Sequence, residues 1–480
     1  MINADLSWLQ GVLADAEIHN LSPEQAQQII KYVSTDSRTI ESGHVFVALK
    51  GDNFDGTKFV AQVAEKGAIA AVVETKQEVD IPQFVVSDTL RAYGRIASQV
   101  AMESKVKTIA VTGSSGKSTV KEMCAAILQQ RGKVIATEGN FNNEIGVPHT
   151  LMRFEPSYDY AVVELGANHV GEIAYTQSLT KPDVAILNNV AEAHLEGFGG
   201  IQGVVKAKGE IFQGLQAKGA ETRNGIVNTA IVNGDSEYKE AWLPSLAQVN
   251  TLQFTLDERL AGQAGYLVAT QVSQDQLGCP SFTLVHGEQK VQIKVSIPGQ
   301  HNVANALAAS AACLAIGAEF ADIQAGLANM QAVKGRVNLH KVTEQLTFID
   351  DTYNANVGSI KAATKLLSGY QGSRVLVLGD MAELGSESEF FHRQVGEYAK
   401  SEGIDYLYAC GQYSAFTCEA FGAQAQHFAE QAQLTAALSS LIKNSQTLTT
   451  LLFKGSRSSK MENVFQALFE QFNNHNNKRQ

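Results

Sequence analysis

The stretch Thr112-Gly113-Ser114-Ser115-Gly116-Lys117-Ser118-Thr119 restricts the fold of this chain more than any other. An apolar, β-branched run, Val106 to Val111, precedes it and reads as a buried strand. Val120 to Leu128 follows, with apolar residues at helical spacing. Strand, Gly-rich loop, lysine, hydroxyl and helix in that order suit a nucleoside triphosphate. The glycines let backbone N–H groups turn inward around phosphate oxygens, and the helix N-terminus adds partial positive charge. Lys117 is placed to neutralise the outer phosphates, and the Ser118 hydroxyl to ligate magnesium. The usual pattern G-x-x-x-x-G-K-[ST] has its first glycine where this chain carries Val111. A plain Gly/Ser turn with an exposed lysine is the simpler alternative, but the flanking strand and helix favour phosphate binding.

At 480 residues the chain is too long for one core and suggests two to four domains. A net charge of −11 leaves no basic excess to offset the phosphates of a nucleic acid or an anionic membrane. Cys124, Cys279, Cys313, Cys410 and Cys418 show no C-x-x-C spacing and read as reduced thiols. The N-terminus lacks a basic segment followed by an apolar core, and the Ala-rich stretch 304–316 is too short to span a bilayer. The expectation is a cytoplasmic protein with no membrane insertion and no nucleic-acid partner.

Residues 1–88 read as a small unit ahead of the phosphate loop. A capping-type helix start at Leu21 to Glu24 precedes a polar loop, Ser34 to Arg38, and a short strand within Val45 to Gly51. Ser34, Asp36, Ser37 and Arg38 suit a diphosphate or a uracil, because arginine presents a planar fork of donors; a solvated turn is the simpler account. Residues 89–334 carry the loop and what serves it. Asp159 to Glu164 reads as a buried strand ending in a carboxylate, the place from which an acid holds magnesium beside a phosphate loop. Pro182 to Asn189 is another apolar strand, and His194 falls just past its end, where open α/β sheets bind ligands; a lone histidine is also often structural. A helix is expected to begin at Ala207, which makes Lys206 and Lys208 ordinary solvated lysines by composition. Residues 250–298 turn strand-rich and read as a β annex on the same domain. Asn302 and Asn305 stand at the start of an Ala-rich helix, 303–316, able to read an adenine edge or, for Asn302, to cap the helix. From 335 to 480 strands alternate with helical segments, which means a parallel sheet covered on both faces, with no G-x-G-x-x-G after any strand.

Taken together these stretches resemble the Mur ligases, the ATP-dependent amide-forming enzymes of bacterial cell-wall precursor synthesis. The resemblance runs from about Ser34 to Glu462. It rests on the T-G-x-x-G-K-[ST] loop form, on Gly139 to Pro148, on Ala193 to Phe198, on Asp350 to Asn356, on Gly379 to Gly385, and on Lys454 to Arg457 with Glu462. That loop form lacks the first glycine throughout the family, so Val111 agrees with it. The resemblance implies three α/β domains. They are a small UDP-binding domain, a central P-loop ATPase domain with a mostly parallel sheet and a β-rich annex, and a C-terminal Rossmann-like domain for the amino component. Within the family these stretches are most similar to the branch whose substrates are UDP-N-acetylmuramoyl-tripeptide and D-alanyl-D-alanine, joined with ATP and Mg2+ by a cytoplasmic monomer. A D-N-P-R-type motif, typical of the sister branch, is absent.

Site roles follow from the same resemblance. Gly113, Ser114, Ser115, Gly116, Lys117, Ser118 and Thr119 cradle the phosphates. Lys117, Glu164, His194 and Lys208 form the catalytic set, with Ser118, Glu164, His194 and Lys208 serving magnesium, Lys208 as a carbamate. Asn302 lies near adenine, Arg336 near the phosphates and Asp351 near the ribose. Ser34, Asp36, Ser37 and Arg38 take the UDP end, Asn142 and Asn143 bind substrate, and Tyr353, Asn354 and Asn356 lie where the last domain closes on the reacting ends. Thr57 and Val357 depart from common family residues. The alternatives are folylpolyglutamate synthase, a P-loop kinase of a small molecule, and a nucleotide-gated binding protein.

Overall fold

A computed structural model describes residues 2–51, 54–192, 195–218, 220 and 224–476. Its strands form three main sheets that follow one another along the chain. The first has five strands, in the order Glu17–His19, Gln83–Val85, Ala70–Val73, His44–Val47 and Tyr32–Ser34. Only the Glu17–His19 edge is antiparallel.

The helix Thr89–Ser104 joins this sheet to the next. Asp88 caps it by accepting from the Arg91 N–H at 2.9 Å. Its apolar stripe, Ala92, Tyr93, Ile96 and Val100, shares one buried core with Val45 and Val72 of the first sheet and Val163 and Leu187 of the second. Burial of each large apolar side chain there stabilises the junction by about 1.5–3 kcal/mol.

The second sheet has nine strands, and the phosphate-loop strand Lys107–Thr112 lies inside it. On one side it pairs in parallel with Tyr160–Glu164, Val111 opposite Glu164; on the other it pairs in parallel with Val184–Leu187. All three are buried nearly throughout, which is why their sequences are continuous apolar runs rather than alternating ones. The strand-rich region expected as an annex of this domain forms the far end of its sheet. Thr229–Asn233, Asn250–Thr255 and Tyr266–Gln274 continue it in parallel, and Pro280–His286 and Gln289–Lys294 close the edge antiparallel. Strands at this end are half exposed, so their sequences alternate.

The third sheet has six strands, five of them parallel; Asn338–Lys341 pairs antiparallel with Leu346–Asp351 at one edge. Buried clusters lie on both of its faces. The helix expected to begin at Ala207 begins six residues earlier. It spans Ile201–Gly209, starting where Gly200 turns at φ 107°, and residues Glu210–Phe212 form a single 3₁₀ turn.

Candidate active site

Three neighbouring strands of the central sheet deliver the site from their C-terminal ends, the position where open α/β sheets bind ligands. Lys107–Thr112 delivers the phosphate loop, Tyr160–Glu164 delivers Glu164, and Val184–Leu187 delivers Asn188 and Asn189. The loop is pinned to the last of these. Ser114 N–H donates to the Asn189 carbonyl at 3.0 Å, and Ser115 N–H to Asn189 Oδ1 at 2.9 Å. Gly116 turns at φ 74° to begin the helix Lys117–Leu128. A Cβ at Gly116 would sit 2.6 Å from Asn305 Oδ1 and 2.7 Å from Asn188 Nδ2, so only glycine fits.

Lys117 is half-buried and donates from Nζ to the Gly113 carbonyl at 2.8 Å, folding back over its own loop. Burial pushes its pKa down, Glu164 pulls it up, and Arg336 pushes it down further. Ser118 Oγ donates to Glu164 Oε2 at 2.7 Å, and Asn142 Nδ2 donates to Glu164 Oε1 at 2.9 Å. Both carboxylate oxygens are thus oriented, and the donor set is one of hard oxygens. Among the described residues no group of three or more His, Cys, Asp or Glu side chains converges to hold a metal, so a cation at Ser118 and Glu164 needs further ligands from phosphate oxygens, water or other side chains. His194 lies outside the described residues.

Lys208 is not a solvated lysine. It is 1% exposed, with its ammonium 5.4 Å from the centre of the Phe198 ring. Burial first, and the charge of Lys117 second, hold its pKa well below the ordinary lysine value. A neutral amine of this kind is the form that carbamylation requires.

Asn302 and Asn305 are buried, and their amides are engaged within the protein. Asn302 Nδ2 donates to the Pro298 carbonyl at 2.7 Å, Asn305 Nδ2 to Asn302 Oδ1 at 2.8 Å, and Asn188 Nδ2 to Asn305 Oδ1 at 2.9 Å. The helix begins at His301 with Gln300 as its cap residue, so Asn302 is not the cap. Beside this helix start a cavity of about 1080 Å³ opens between the second and third sheets, lined by Gln300, His301, Leu277, Lys361, Tyr370 and Thr450 among others.

The third sheet reaches the phosphate loop directly. Arg336 Nη2 donates to Ser118 Oγ at 2.8 Å, and its guanidinium lies 4.2 Å from the centre of the Tyr353 ring. Arg336 Nε is buried without a partner among the described residues, an orphaned donor that an anion would satisfy. Asn356 Nδ2 donates to the Ser114 carbonyl at 3.3 Å. Asn354 serves locally, accepting from Ala355 N–H at its side chain and from Lys454 Nζ at its carbonyl. Asp351 is buried against Lys454, 2.6 Å away; burial pushes its carboxyl up although Lys454 pulls it down.

The remaining expected residues stand apart from this centre or support it. Arg38 is exposed and closes on Asp36 through Nε and Nη2, holding that carboxyl down at about 2. Ser34 Oγ accepts the Asp36 N–H at 3.0 Å, and the Ser37 carbonyl accepts from Lys66. Asn143 Oδ1 accepts the Gly146 N–H at 2.9 Å at the start of a short helix, Gly146–Leu151. Thr57 is engaged by Asp55 in its own turn. Sequence reasoning gave no role to Asn188 and Asn189, whose signal was the Asn-Asn pair after an apolar strand, and none to Lys454, quoted only within the stretch Lys454 to Arg457.

Family models match along most of the chain: the Mur ligase family catalytic domain over residues 29–131, the Mur ligase middle domain over 111–313, and the Mur ligase glutamate ligase domain over 335–457. A curated relative, the UDP-N-acetylmuramoyl-tripeptide–D-alanyl-D-alanine ligase of Escherichia coli strain K12, is 45% identical over 470 residues, 98% of this chain and 99% of that protein. The chain belongs to the Mur ligase family. A crystal structure of MurF from Acinetobacter baumannii superposes with a TM-score of 0.89 at 35% identity, covering 98% of this chain and 99% of that one. A MurF ligase from Thermotoga maritima, solved in complex with ADP, gives a TM-score of 0.79 at 26% identity over 92% of this chain and 98% of its own. No helix among the described residues is long and apolar enough to cross a membrane.

Proposed function

We propose that this Mur ligase joins D-alanyl-D-alanine to UDP-N-acetylmuramoyl-tripeptide at the expense of ATP, giving the pentapeptide precursor, ADP and phosphate. The observation that carries the reading is the convergence of Lys117, Ser118 and Glu164 of the central sheet with Arg336 of the last one, joined by the 2.8 Å bond from Arg336 to Ser118. A phosphate loop alone fits a kinase. An arginine and a polar loop brought to it from a separate domain fit a reaction that gathers three substrates.

Making an amide from a carboxylate requires a better leaving group than oxide. The tripeptide carboxylate oxygen attacks the γ-phosphorus and ADP departs, leaving an acyl phosphate. The two reactants are both anionic, and Lys117 and Arg336 offset their repulsion. The dipeptide amine then attacks the acyl carbon, gives up a proton, and the tetrahedral adduct collapses to amide and phosphate. Closure of the outer domains on the central one supplies proximity and excludes water.

Ser118, Glu164 and a carbamylated Lys208, with His194, are the residues we assign to magnesium, which when bound supplies further charge neutralisation at the phosphates. We assign Asn302, with the helix start around it, to the adenine side, Asp351 to the ribose side, and Ser34, Asp36, Ser37 and Arg38 to the UDP end. Asn142, Asn143, Tyr353, Asn354 and Asn356 are assigned to the tripeptide and dipeptide. The working units are 1–88, 89–334 and 335–480, in a cytoplasmic monomer acting on small molecules, without nucleic acid.

The test is ATP-dependent phosphate release with UDP-N-acetylmuramoyl-tripeptide, with and without D-alanyl-D-alanine, and the product followed by mass. Release that needs the dipeptide, with a product heavier by one dipeptide less water, is expected. Release without it, yielding a stable phosphorylated product, would put a kinase first.

A further inference from the structure

Lys121 is a buried lysine that the proposed chemistry leaves unused. It lies on the helix Lys117–Leu128, one turn beyond Lys117 and on the same face as Ser118, and is 4% exposed. Its Nζ donates to the Thr137 carbonyl at 2.6 Å and lies 2.6 Å from Glu122 Oε1. An ammonium is costly to bury, and an apolar side chain would fill the same space without that cost. The lysine is there for the bond it makes.

Thr137 stands directly past the strand Val134–Ala136 and is 1% exposed. Its N–H donates to the Val162 carbonyl at 3.0 Å, and its hydroxyl accepts the Glu164 N–H at 3.0 Å. Glu164 in turn accepts from Ser118 at 2.7 Å. These bonds close a circuit. It runs from the Ser118 hydroxyl to the Glu164 carboxylate, from the Glu164 backbone to the Thr137 hydroxyl, from the Thr137 carbonyl to Lys121, and back along the helix to Ser118. The circuit ties one helix to two strands at the point where a hydroxyl and a carboxylate from different elements have to keep a fixed spacing. Buried, fully paired polar circuits of this kind resist the small shifts that apolar contacts allow.

We infer that Lys121 and Thr137 are positioning residues that set the Ser118–Glu164 spacing for one divalent cation beside the nucleotide phosphates. The inference rests on the assignment of Ser118 and Glu164 to magnesium. Neither Lys121 nor Thr137 touches the cation; they act through the backbone and side chain of Glu164. Outer-sphere partners of metal ligands typically change metal affinity by about 10–100-fold when removed.

The test uses the full chain loaded with ADP and reads bound Mn2+ from the electron paramagnetic resonance signal of the free ion. Thr137→Val is nearly isosteric and removes the acceptor of the Glu164 N–H; Thr137→Ser keeps it; Lys121→Met removes the crossbar. Wild type and Thr137→Ser are expected to bind one Mn2+ per chain with similar affinity, and Thr137→Val and Lys121→Met to bind it about ten-fold more weakly or worse. ADP affinity without metal is expected to be unchanged, and thermal melting confirms that each variant is folded. Should Lys121→Met not fold, the Thr137 pair decides alone. Wild type binding no Mn2+ in the presence of ADP would remove the metal assignment and this inference with it. Wild type and Thr137→Val binding Mn2+ equally would overturn the positioning role and leave the metal assignment standing. Thr137→Ser binding as weakly as Thr137→Val would overturn the role given to the hydroxyl.

Discussion

At Lys208, burial and the Lys117 charge act in the same direction and outweigh the opposite pull of Glu172, Glu164 and Glu210. The amine is 1% exposed, and both desolvation and the Lys117 charge oppose its protonation, so its folded pKa lies well below 10.5. Between the folded value and 10.5 the unfolded chain holds a proton that the folded chain does not, so stability rises with pH across that window. It is lost as the pH falls through the folded value, where the fold has to accept a buried charge. Lys208→Met removes that burden. At pH 7 in buffer freed of carbon dioxide, the variant is expected to be more stable than wild type by about 1–3 kcal/mol, a gain that shrinks as the pH is raised. Phosphate release with all three substrates is expected to fall at least about a hundred-fold, because no carbamate oxygen can form there. Melting curves at several pH values with parallel activity assays check both; a variant less stable than wild type at pH 7 would mean that the lysine is welcome in its pocket as an ammonium.

The helix Val357–Ser368 shows how one residue serves an element and a site at once. Asn356 caps it reciprocally with Ser359: the Asn356 side chain accepts the Ser359 N–H at 2.8 Å, and Ser359 Oγ accepts the Asn356 N–H at 2.9 Å. The remaining amide donor of Asn356 reaches the Ser114 carbonyl of the phosphate loop at 3.3 Å. The two roles separate by substitution. Asn356→Asp keeps an acceptor for the cap and loses the donor to Ser114; its melting temperature is expected to match wild type while KM for ATP rises several-fold, aided by repulsion between carboxylate and phosphate. Asn356→Ala loses both and is expected to cost a further 1 kcal/mol or about that in stability. Equal stability in the two variants would show that the cap contributes nothing. The same contrast explains what could be read in advance. The phosphate loop was legible because its chemistry is contiguous: strand, glycines, lysine and hydroxyl follow in one register. Glu164 was legible as an acid at a strand end. The circuit through Lys121 and Thr137 was not, because its members lie on three elements and each is individually an ordinary helix or strand-end residue. Lys208 was legible only through the family resemblance, since composition reads it as solvated, and its burial depends on a helix that starts six residues earlier than periodicity placed it. The strand-rich annex of the central domain was legible from alternation in 250–298, while its direct continuation of the central sheet was not, because strand order is set by pairing between distant segments.

Among the described residues, the last domain is held to the central one by few direct polar bridges. Arg336 and Asn356 reach the phosphate loop, and Tyr370 donates to the Leu277 carbonyl at 3.0 Å on the far side of the interdomain cavity. Arg336 is the one of these whose partner is a side chain assigned to magnesium. Its guanidinium donates to the Ser118 hydroxyl and rests on Tyr353, while its Nε has no partner among the described residues. A phosphate placed at the loop offers that unpaired donor what it lacks, so nucleotide binding and closure of the last domain favour one another through the same side chain. Arg336→Ala therefore loses two things together. In small-angle scattering the ligand-free variant is expected to be more extended than wild type, and ADP is expected to compact it less. Its kcat/KM for ATP is expected to fall about 10²–10³-fold, the usual cost of one donor aimed at developing charge. Arg336→Lys keeps the charge but not the planar fork, so it is expected to recover part of the rate and little of the compaction. Scattering unchanged in Arg336→Ala with the rate still lost would confine the arginine to the phosphates and leave closure to Asn356, Tyr370 and the apolar contact around them.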